Sequence, residues 1–471
     1  MALADLDNDG DLDLVINNLN GPLGVYRNNA PAPRVAVRLQ GQPPNTAGIG
    51  ARITVCGGPV VQAQEMMAGG RYLSGDDPMR VFAAGPDTNP LAIEVLWRSG
   101  RHSVVTNARP NTRYTIQEPA DPAEPPLPPP SPGEPATPAA GPFFEDVSAR
   151  LDHRHHDDPF NDFDQQPLLP RRLSQLGPGL SWFDLDGDGW EDLIVGSGKG
   201  GRLAVFRNRG PEGFQRLNEP PWHLPASRDQ TTVLGWHAPG RGPVLLVGSA
   251  SYEEGLDAGG AILQFAPGEG QATAVIPAVP FSVGPLALVD YDGDGCLDLF
   301  VGGRCLPGRY PEPPSSKLYR QVDGRWVLDV ENSSRLEQVG LVSGAVWTDF
   351  EGDGWPDLAL AIEWGPVRLF RNKRGQLSEW QAPGVEVDEE RSTLNVQRST
   401  LNAQRSTLNV QRSTLNELTG WWNGIATGDF DGDGLLDLLA TNWGLNTVAR
   451  ASPTAPIGST TATLPTRVRS T

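Results

Sequence analysis

Cysteine is scarce in this chain. The 471 residues include three, Cys56, Cys296 and Cys305, an odd and low count that gives no disulfide framework. No CxxC pair and no Cys/His zinc spacing occurs. No apolar run reaches the roughly 18 residues of a membrane-spanning helix, and no signal-peptide pattern opens the chain. Basic residues are outnumbered 38 to 57, for a net charge of −19, which argues against nucleic acid and anionic membrane surfaces as partners. GxSxG is absent, so an α/β-hydrolase elbow is unsupported. The Gly-rich string GSGKGG at 196–201 lacks the spacing of a phosphate loop and reads as a β-turn. Long helical periodicity is missing as well. Gly (55) and Pro (45) break the chain into short apolar segments between turn clusters, the pattern of an all-β fold.

What the chain has in abundance is one acidic loop. DLDNDGDLD begins at Asp5, DLDGDGWED at Asp184, DYDGDGCLD at Asp290, DFEGDGWPD at Asp349 and DFDGDGLLD at Asp429. Acids stand at positions 1, 3, 5 and 9, with Gly at position 6. Carboxylates this dense need a counter-charge, most simply a hard divalent cation such as Ca²⁺ held by oxygen ligands. The candidate ligands are Asp5, Asp7, Asp9 and Asp13; Asp184, Asp186, Asp188 and Asp192; Asp290, Asp292, Asp294 and Asp298; Asp349, Glu351, Asp353 and Asp357; and Asp429, Asp431, Asp433 and Asp437. Glu351 alone departs from Asp, and it keeps the charge. An EF-hand would close with Glu at position 12, but Ile16, Val195, Val301, Leu360 and Ala440 stand there. The runs that follow, such as LVINN and LIVGS, are β-like. Each loop is therefore expected to join two strands of a hairpin. Single DGDG strings are ordinary turns; five copies with the acids in register are not explained that way. Five bound Ca²⁺ would offset about half of the net negative charge.

The segments fall into an order. Residues 1–33 hold one repeat unit, which cannot bury its apolar face alone. Residues 34–118 contain seven short, partly alternating apolar segments and read as a small β-sandwich; Val35, Val37 and Leu39 share one face, as do Ile93, Val95 and Trp97. Residues 119–142 are a Pro-rich semi-rigid spacer. Repeats resume over 143–449, and Val233 to Ala250 reads as a unit without acids. A heptad tandem, RSTLNVQ and its near copies over 391–416, places no continuous apolar side on helix or strand, so a solvated loop is expected. Residues 450–471 read as a disordered tail.

The repeats resemble the FG-GAP/VCBS repeats of integrin α-type β-propellers, on the DxDxDGxxD loops and on the strings LAVFRNRG, KLYRQVDG and VRLFRNKRG. Residues 34–118 resemble an ASPIC/UnbV domain, on NTAGIGARITV, AGGRYLSGDDPMRVFAAG and IEVLWRSGRHSVVTNARPNTRYTI. The combination is similar to cartilage-acidic-protein-like chains. The resemblance implies an all-β protein with an incomplete FG-GAP propeller joined by the Pro-rich linker to the small domain, truncated at both ends. It also implies an extracellular or periplasmic setting, with the export signal upstream of Met1.

Two functions follow as expectations. The first is a Ca²⁺-binding scaffold, secreted, periplasmic or at the cell surface, with a protein or glycan partner and no enzymatic activity. The alternative is an enzyme or an accessory protein of secondary metabolism. Its best cluster is His153, His155, His156, Asp157, Asp158, Asp162 and Asp164, residue types that bind transition metals or move protons. Three histidines within four residues do not easily converge on one ion, so a structural role for the segment is favoured. Trp182, Trp190, Trp347, Trp355, Trp421 and Trp422 flank the loops and are expected to pack between sheets. Asn332 begins a glycosylation sequon.

Overall fold

A computed structural model describes residues 1–85, 90–120, 143–255, 258–380, 419–430 and 436–443, with the backbone of the strands Val385–Glu386, Arg412–Ser413 and Thr463–Leu464. Residues 121–142 of the expected spacer, almost all of the 391–416 insertion, nearly all of 450–471, and Asp431 and Asp433 lie outside the described residues. The architecture is all-β; the α-helices among the described residues are the short segments Asp162–Gln165 and Val330–Arg335.

Outside the small domain, four of the sheets among the described residues are antiparallel with four strands each. The first is Ala2–Ala4, Asp13–Ile16, Gly24–Asn28 and Phe144–Asp146. Its fourth strand comes from beyond the small domain, so the 1–33 unit is completed by a distant segment: Phe144, Glu145 and Asp146 pair with Asn28, Arg27 and Tyr26. The second sheet is Leu180–Phe183, Asp192–Val195, Ala204–Asn208 and Phe214–Arg216. The third, Gln230–Ala238, Gly242–Ser249, Gly260–Phe265 and Thr273–Val279, holds the acid-free unit. The fourth is Ser282–Val289, Asp298–Cys305, Lys317–Val322 and Arg325–Leu328. A fifth sheet contains Leu341–Thr348, Asp357–Gly365, Arg368–Lys373 and Gln376–Trp380, and it also takes in Gly420–Gly428 and Asp437–Asn442 through pairing of Glu363 with Trp421 and Gly365 with Gly420. Several first and second strands, such as Ser282–Val289 and Asp298–Cys305, are buried on both faces, whereas last strands such as Arg325–Leu328 are largely exposed. A continuous apolar run suits a strand covered on both sides.

The small domain has the seven expected strands in two sheets. Arg34–Gln40 lies between Met79–Ala83, antiparallel, and Thr112–Gln117, parallel. Arg52–Cys56 lies between Gln62–Glu65 and Leu91–Leu96, with His102–Ala108 outside the latter. Val35, Val37, Ile53, Val55, Phe82, Ile93, Val95 and Trp97 are buried in one core, which continues without a break into Leu234, Trp236, Leu286 and Leu299 of the third and fourth sheets. Period-2 alternation in Arg52–Cys56, Leu91–Leu96 and Thr112–Gln117 supplies much of this face.

One stretch of the small domain, residues 65–77, crosses the first strands of the sheets in turn. Asp77 N donates to Leu3 O at 2.9 Å, Gly75 N to Leu180 O at 2.9 Å, and Leu288 N to Ala68 O at 3.2 Å. Asp349 N donates to Glu65 Oε1 at 3.2 Å. The approach is close: a Cβ on Gly179 would sit 1.7 Å from Leu73 O.

These features overturn the expected FG-GAP propeller and, with it, the integrin-like and cartilage-acidic-protein-like reading of the whole chain. The sheets are separate blocks that pack through their first strands, and among the described residues no strand pairing closes them into a ring. The last hairpin merges into the fifth sheet instead of standing apart. The physical reason is that the inserted segment 65–77 supplies hydrogen bonds and apolar cover where the first strands meet, so the blocks cohere without closure.

Gly179→Ala is predicted to destabilise the protein by about 3 kcal/mol, because backbone rather than a flexible side chain occupies the space. Gly270→Ala, which meets nothing within 4 Å, should stay within about 0.5 kcal/mol. Urea midpoints of the two variants check this.

Candidate metal centre

Each described loop is folded by its own carboxylates. In the first, Asp5 accepts from Asp9 N at 3.0 Å and Gly10 N at 3.0 Å, and Asp9 accepts from Asp11 N at 3.0 Å. The bond from the position-6 glycine recurs in the second, third and fourth loops: Gly189 N donates to Asp184 at 2.9 Å, Gly295 N to Asp290 at 3.1 Å and Gly354 N to Asp349 at 2.7 Å. Position 6 lies in the left-handed region, with φ of 89°, 86°, 87° and 85° at Gly10, Gly189, Gly295 and Gly354. Position 4 lies there too, at Asn8, Gly187, Gly293 and Gly352. Only Gly, or Asn at a small cost, takes that conformation readily, which explains the NDG and GDG strings.

The position-9 aspartate closes the loop from below. Asp13, Asp192, Asp298 and Asp357 are fully buried. Each accepts from a backbone amide on the third strand of its sheet: Asn28 at 2.6 Å, Asn208 at 2.8 Å, Gln321 at 3.0 Å and Asn372 at 2.7 Å. In three of them the other oxygen takes the amide of loop position 2, from Leu6, Leu185 and Phe350. The second oxygen of Asp298 is buried with no donor.

Convergence differs from loop to loop. Asp5, Asp7 and Asp13 bring three carboxylate oxygens within 4.8 Å of one another, and so do Asp184, Asp186 and Asp192, and Asp290, Asp292 and Asp294. Oxygens so placed can all touch one ion at the roughly 2.4 Å of a Ca–O bond. Asp9, Asp188 and Asp298 stand outside these triads. In the fourth loop Asp349, Glu351, Asp353 and Asp357 form no such triad; Glu351 turns to an ion pair with Arg371. In the fifth, Phe430 N donates to Asp437 at 2.8 Å, and Asp429 is described while Asp431 and Asp433 are not.

Burial pushes the carboxyls of Asp5, Asp13 and Asp192 up to about 7, Asp357 to about 8 and Asp298 to about 9; amide donors pull the other way but do not win. Neighbouring acids add to the rise. A cation bound among these oxygens would favour their ionised form, so the donor set fits a hard divalent ion.

Basic residues missed by the sequence reading also face the loops. The arginine of each YRN, FRN or YRQ string on the third strand pairs with the position-3 acid: Arg27 with Asp7 at 3.8 Å, Arg207 with Asp186 at 2.8 Å, Arg320 with Asp292 at 3.4 Å, and Arg371 with Glu351. Its recurrence in those strings was the available signal. The small domain contributes four more. Arg34 meets Asp9 and Asp11, and Arg113 lies 4.0 Å from Asp5. Arg38 joins Asp77 to Glu191 of the second loop. Arg98 donates to the carbonyls of Asp290 and Gly354 at 2.9 and 3.1 Å and lies over Trp355.

The histidines do not converge. His153 is buried against Phe206 with neither ring nitrogen bonded. Both ring nitrogens of His155 face backbone amides, of Asn20 and Gly198; a neutral imidazole accepts at only one of them. Burial lowers both histidines to about 4, which keeps them neutral. His156 is exposed and meets Asp158 at 2.9 Å. Asp162 accepts from Leu173 N, Ser174 N and Ser174 Oγ, a structural cap. Asp164 is exposed, and no metal-ligating group among the described residues includes a histidine. Trp182, Trp347, Trp421 and Trp422 are buried and Trp190 and Trp355 half-buried. Asn332 is buried, its amide donating to Asp329 and to Gly375 O.

Residues 41–123 match the family described as ASPIC and UnbV. An ASPIC/UnbV-like domain is thus present, carried by the two small sheets. No curated protein matches the chain. No helix among the described residues is long and apolar enough to cross a membrane.

The raised carboxyls give a pH prediction for the protein in excess chelator. Asp13, Asp192 and Asp357 titrate at about 7, 7 and 8 when folded, against 3.8 ordinarily. The folded state then holds protons that the unfolded chain releases. Their stabilisation is full below about pH 4 and is lost as pH rises through 7 to 8. Urea midpoints in chelator should fall between about pH 5 and pH 8, and millimolar Ca²⁺ should flatten the decline. A midpoint that rises over this interval in chelator would contradict the buried-carboxyl assignment.

Proposed function

We propose that this chain is a calcium-stabilised binding scaffold of an extracellular or cell-envelope compartment, with a protein or glycan partner. The observation that carries the reading is one carboxylate and amide network repeated at four loops, with three carboxylates convergent at three of them. The proposed ligands are the acids at positions 1, 3, 5 and 9 of each loop. Loops with this many acids bind Ca²⁺ in the range of about 10⁻⁶ to 10⁻³ M, which suits calcium-rich outer compartments. Occupied loops would fix the hairpins and the arginines of the ASPIC/UnbV-like domain that lean on them, leaving the exposed outer strands as a rigid surface for a partner.

Calcium should raise the melting temperature in a concentration-dependent way, each site adding about 2.7 kcal/mol when Ca²⁺ exceeds its Kd a hundredfold. Asp192→Asn should remove one equivalent of bound Ca²⁺ and lower the calcium-dependent part of the shift, by calorimetry and equilibrium dialysis. Identical melting curves in millimolar Ca²⁺ and in excess chelator would reject the reading. An array of glycans and extracellular proteins, probed with and without chelator, tests the partner. Calcium-dependent retention is expected; turnover of an arrayed glycan or peptide would put an enzyme in place of the scaffold.

A further inference from the structure

A fourth group of convergent acids lies outside the repeated loops. Asp157 comes from the segment leading into the second sheet, Asp229 from the turn before Gln230–Ala238, and Glu253 from the 3-10 turn Tyr252–Glu254 after Gly242–Ser249. One carboxylate oxygen from each lies within 4.8 Å of the others. No local motif places them together; the fold does.

We propose that Asp157, Asp229 and Glu253 form a divalent-cation site for Ca²⁺ or a similarly hard ion, distinct from the DxDxDGxxD loops. The first support is desolvation. Asp157 and Asp229 are each 8 % exposed, and the Glu253 side chain is 6 % exposed. Asp157 Oδ1 and Glu253 Oε1 are buried with no hydrogen-bond donor. Orphaned buried carboxylate oxygens cost several kcal/mol each unless a cation or proton meets them.

The second support is the charge count. Asp157, Asp229, Glu253 and Glu254 carry four negative charges when ionised. The basic groups paired here are Lys199, 3.1 Å from Glu253 and 3.1 Å from Glu254, and Arg228, 3.4 Å from Glu254. Acids thus outnumber the basic groups paired with them, an excess that a divalent cation would reduce. Among the described residues neither Asp157 nor Asp229 is paired with a basic side chain; Asp229 accepts from Lys199 N at 2.8 Å and meets the Asp157 carboxyl. All three donors are carboxylate oxygens, and no His or Cys among the described residues joins the group, which favours a hard ion over Zn²⁺ or Cu²⁺. Such an ion would staple the lead-in segment, whose Asp158 N donates to Lys199 O at 3.0 Å, to the third sheet.

The test is ion stoichiometry in the full chain. Equilibrium dialysis against Ca²⁺ should show the double variant Asp157→Asn/Asp229→Asn binding one equivalent less than wild type, while Asp192→Asn loses its own separate equivalent. An unchanged stoichiometry in the folded double variant would overturn this site and leave the loops standing. Where the variant does not fold, wild-type crystals soaked in Mn²⁺ decide. An anomalous peak among the three carboxylates supports the proposal, and peaks at the loops with none here overturn it.

Discussion

The buried ninth-position aspartate is the contact on which the rest of the architecture depends. Asp13, Asp192, Asp298 and Asp357 each leave water completely and accept an amide from the third strand of their sheet. That bond holds three strands and the loop in one register, because the side chain springs from the start of the second strand and the donor sits on the third. An ionised carboxylate in such a place gains about 1.5–3 kcal/mol from a charge-assisted hydrogen bond but loses more to desolvation. The loop acids above it cannot help, since they carry the same sign. A positive charge in the loop would offset that loss.

The small domain is coupled to that charge. Arg34, Arg38, Arg98 and Arg113 all reach loop residues, and Arg38 also holds Asp77 at 2.9 Å. Asp77 in turn accepts from Asp5 N at 3.3 Å, so the first loop, the crossing segment 65–77 and the second loop form one continuous polar chain. Glu65 extends it to the fourth loop through Asp349 N. A cation in any of these loops changes the field on an arginine that positions the domain. The loops and the small domain are thus joined through direct contacts, a route by which an ion bound in a loop would act on docking.

How much of this could be read in the sequence follows from range. The loops were legible because every partner within them is less than ten residues away, and acids in register report their own geometry. The small-domain strands were legible because alternation is local: Ile93, Val95 and Trp97 are buried as their spacing demands. Long-range matters were not. Nothing in FED at 144–146 shows that it pairs with Tyr26 to Asn28, and nothing in Asp157, Asp229 and Glu253 shows that they meet. The propeller expectation failed for the same reason. Repeats report the hairpins they encode, but closure depends on contacts between units, and here AGGRYLSGDDPM occupies those contacts from outside the repeat.

Repetition of the motif is also not repetition of the site. In the first two loops the position-3 aspartate stays with its triad although an arginine stands near, at 3.8 Å from Asp7 and 2.8 Å from Asp186. In the fourth, Glu351 has one more methylene, enough to carry its carboxylate out to Arg371, which itself lies over Trp380 at 4.6 Å. A guanidinium held on an aromatic face is a pre-set anion partner. A cation entering that loop must first draw Glu351 away from it, a cost that the first two loops do not carry in the same form. The fourth loop keeps its amide network to Asp349 and Asp357 without the triad. The fourth loop is thus held by backbone donors and by the Glu351–Arg371 pair.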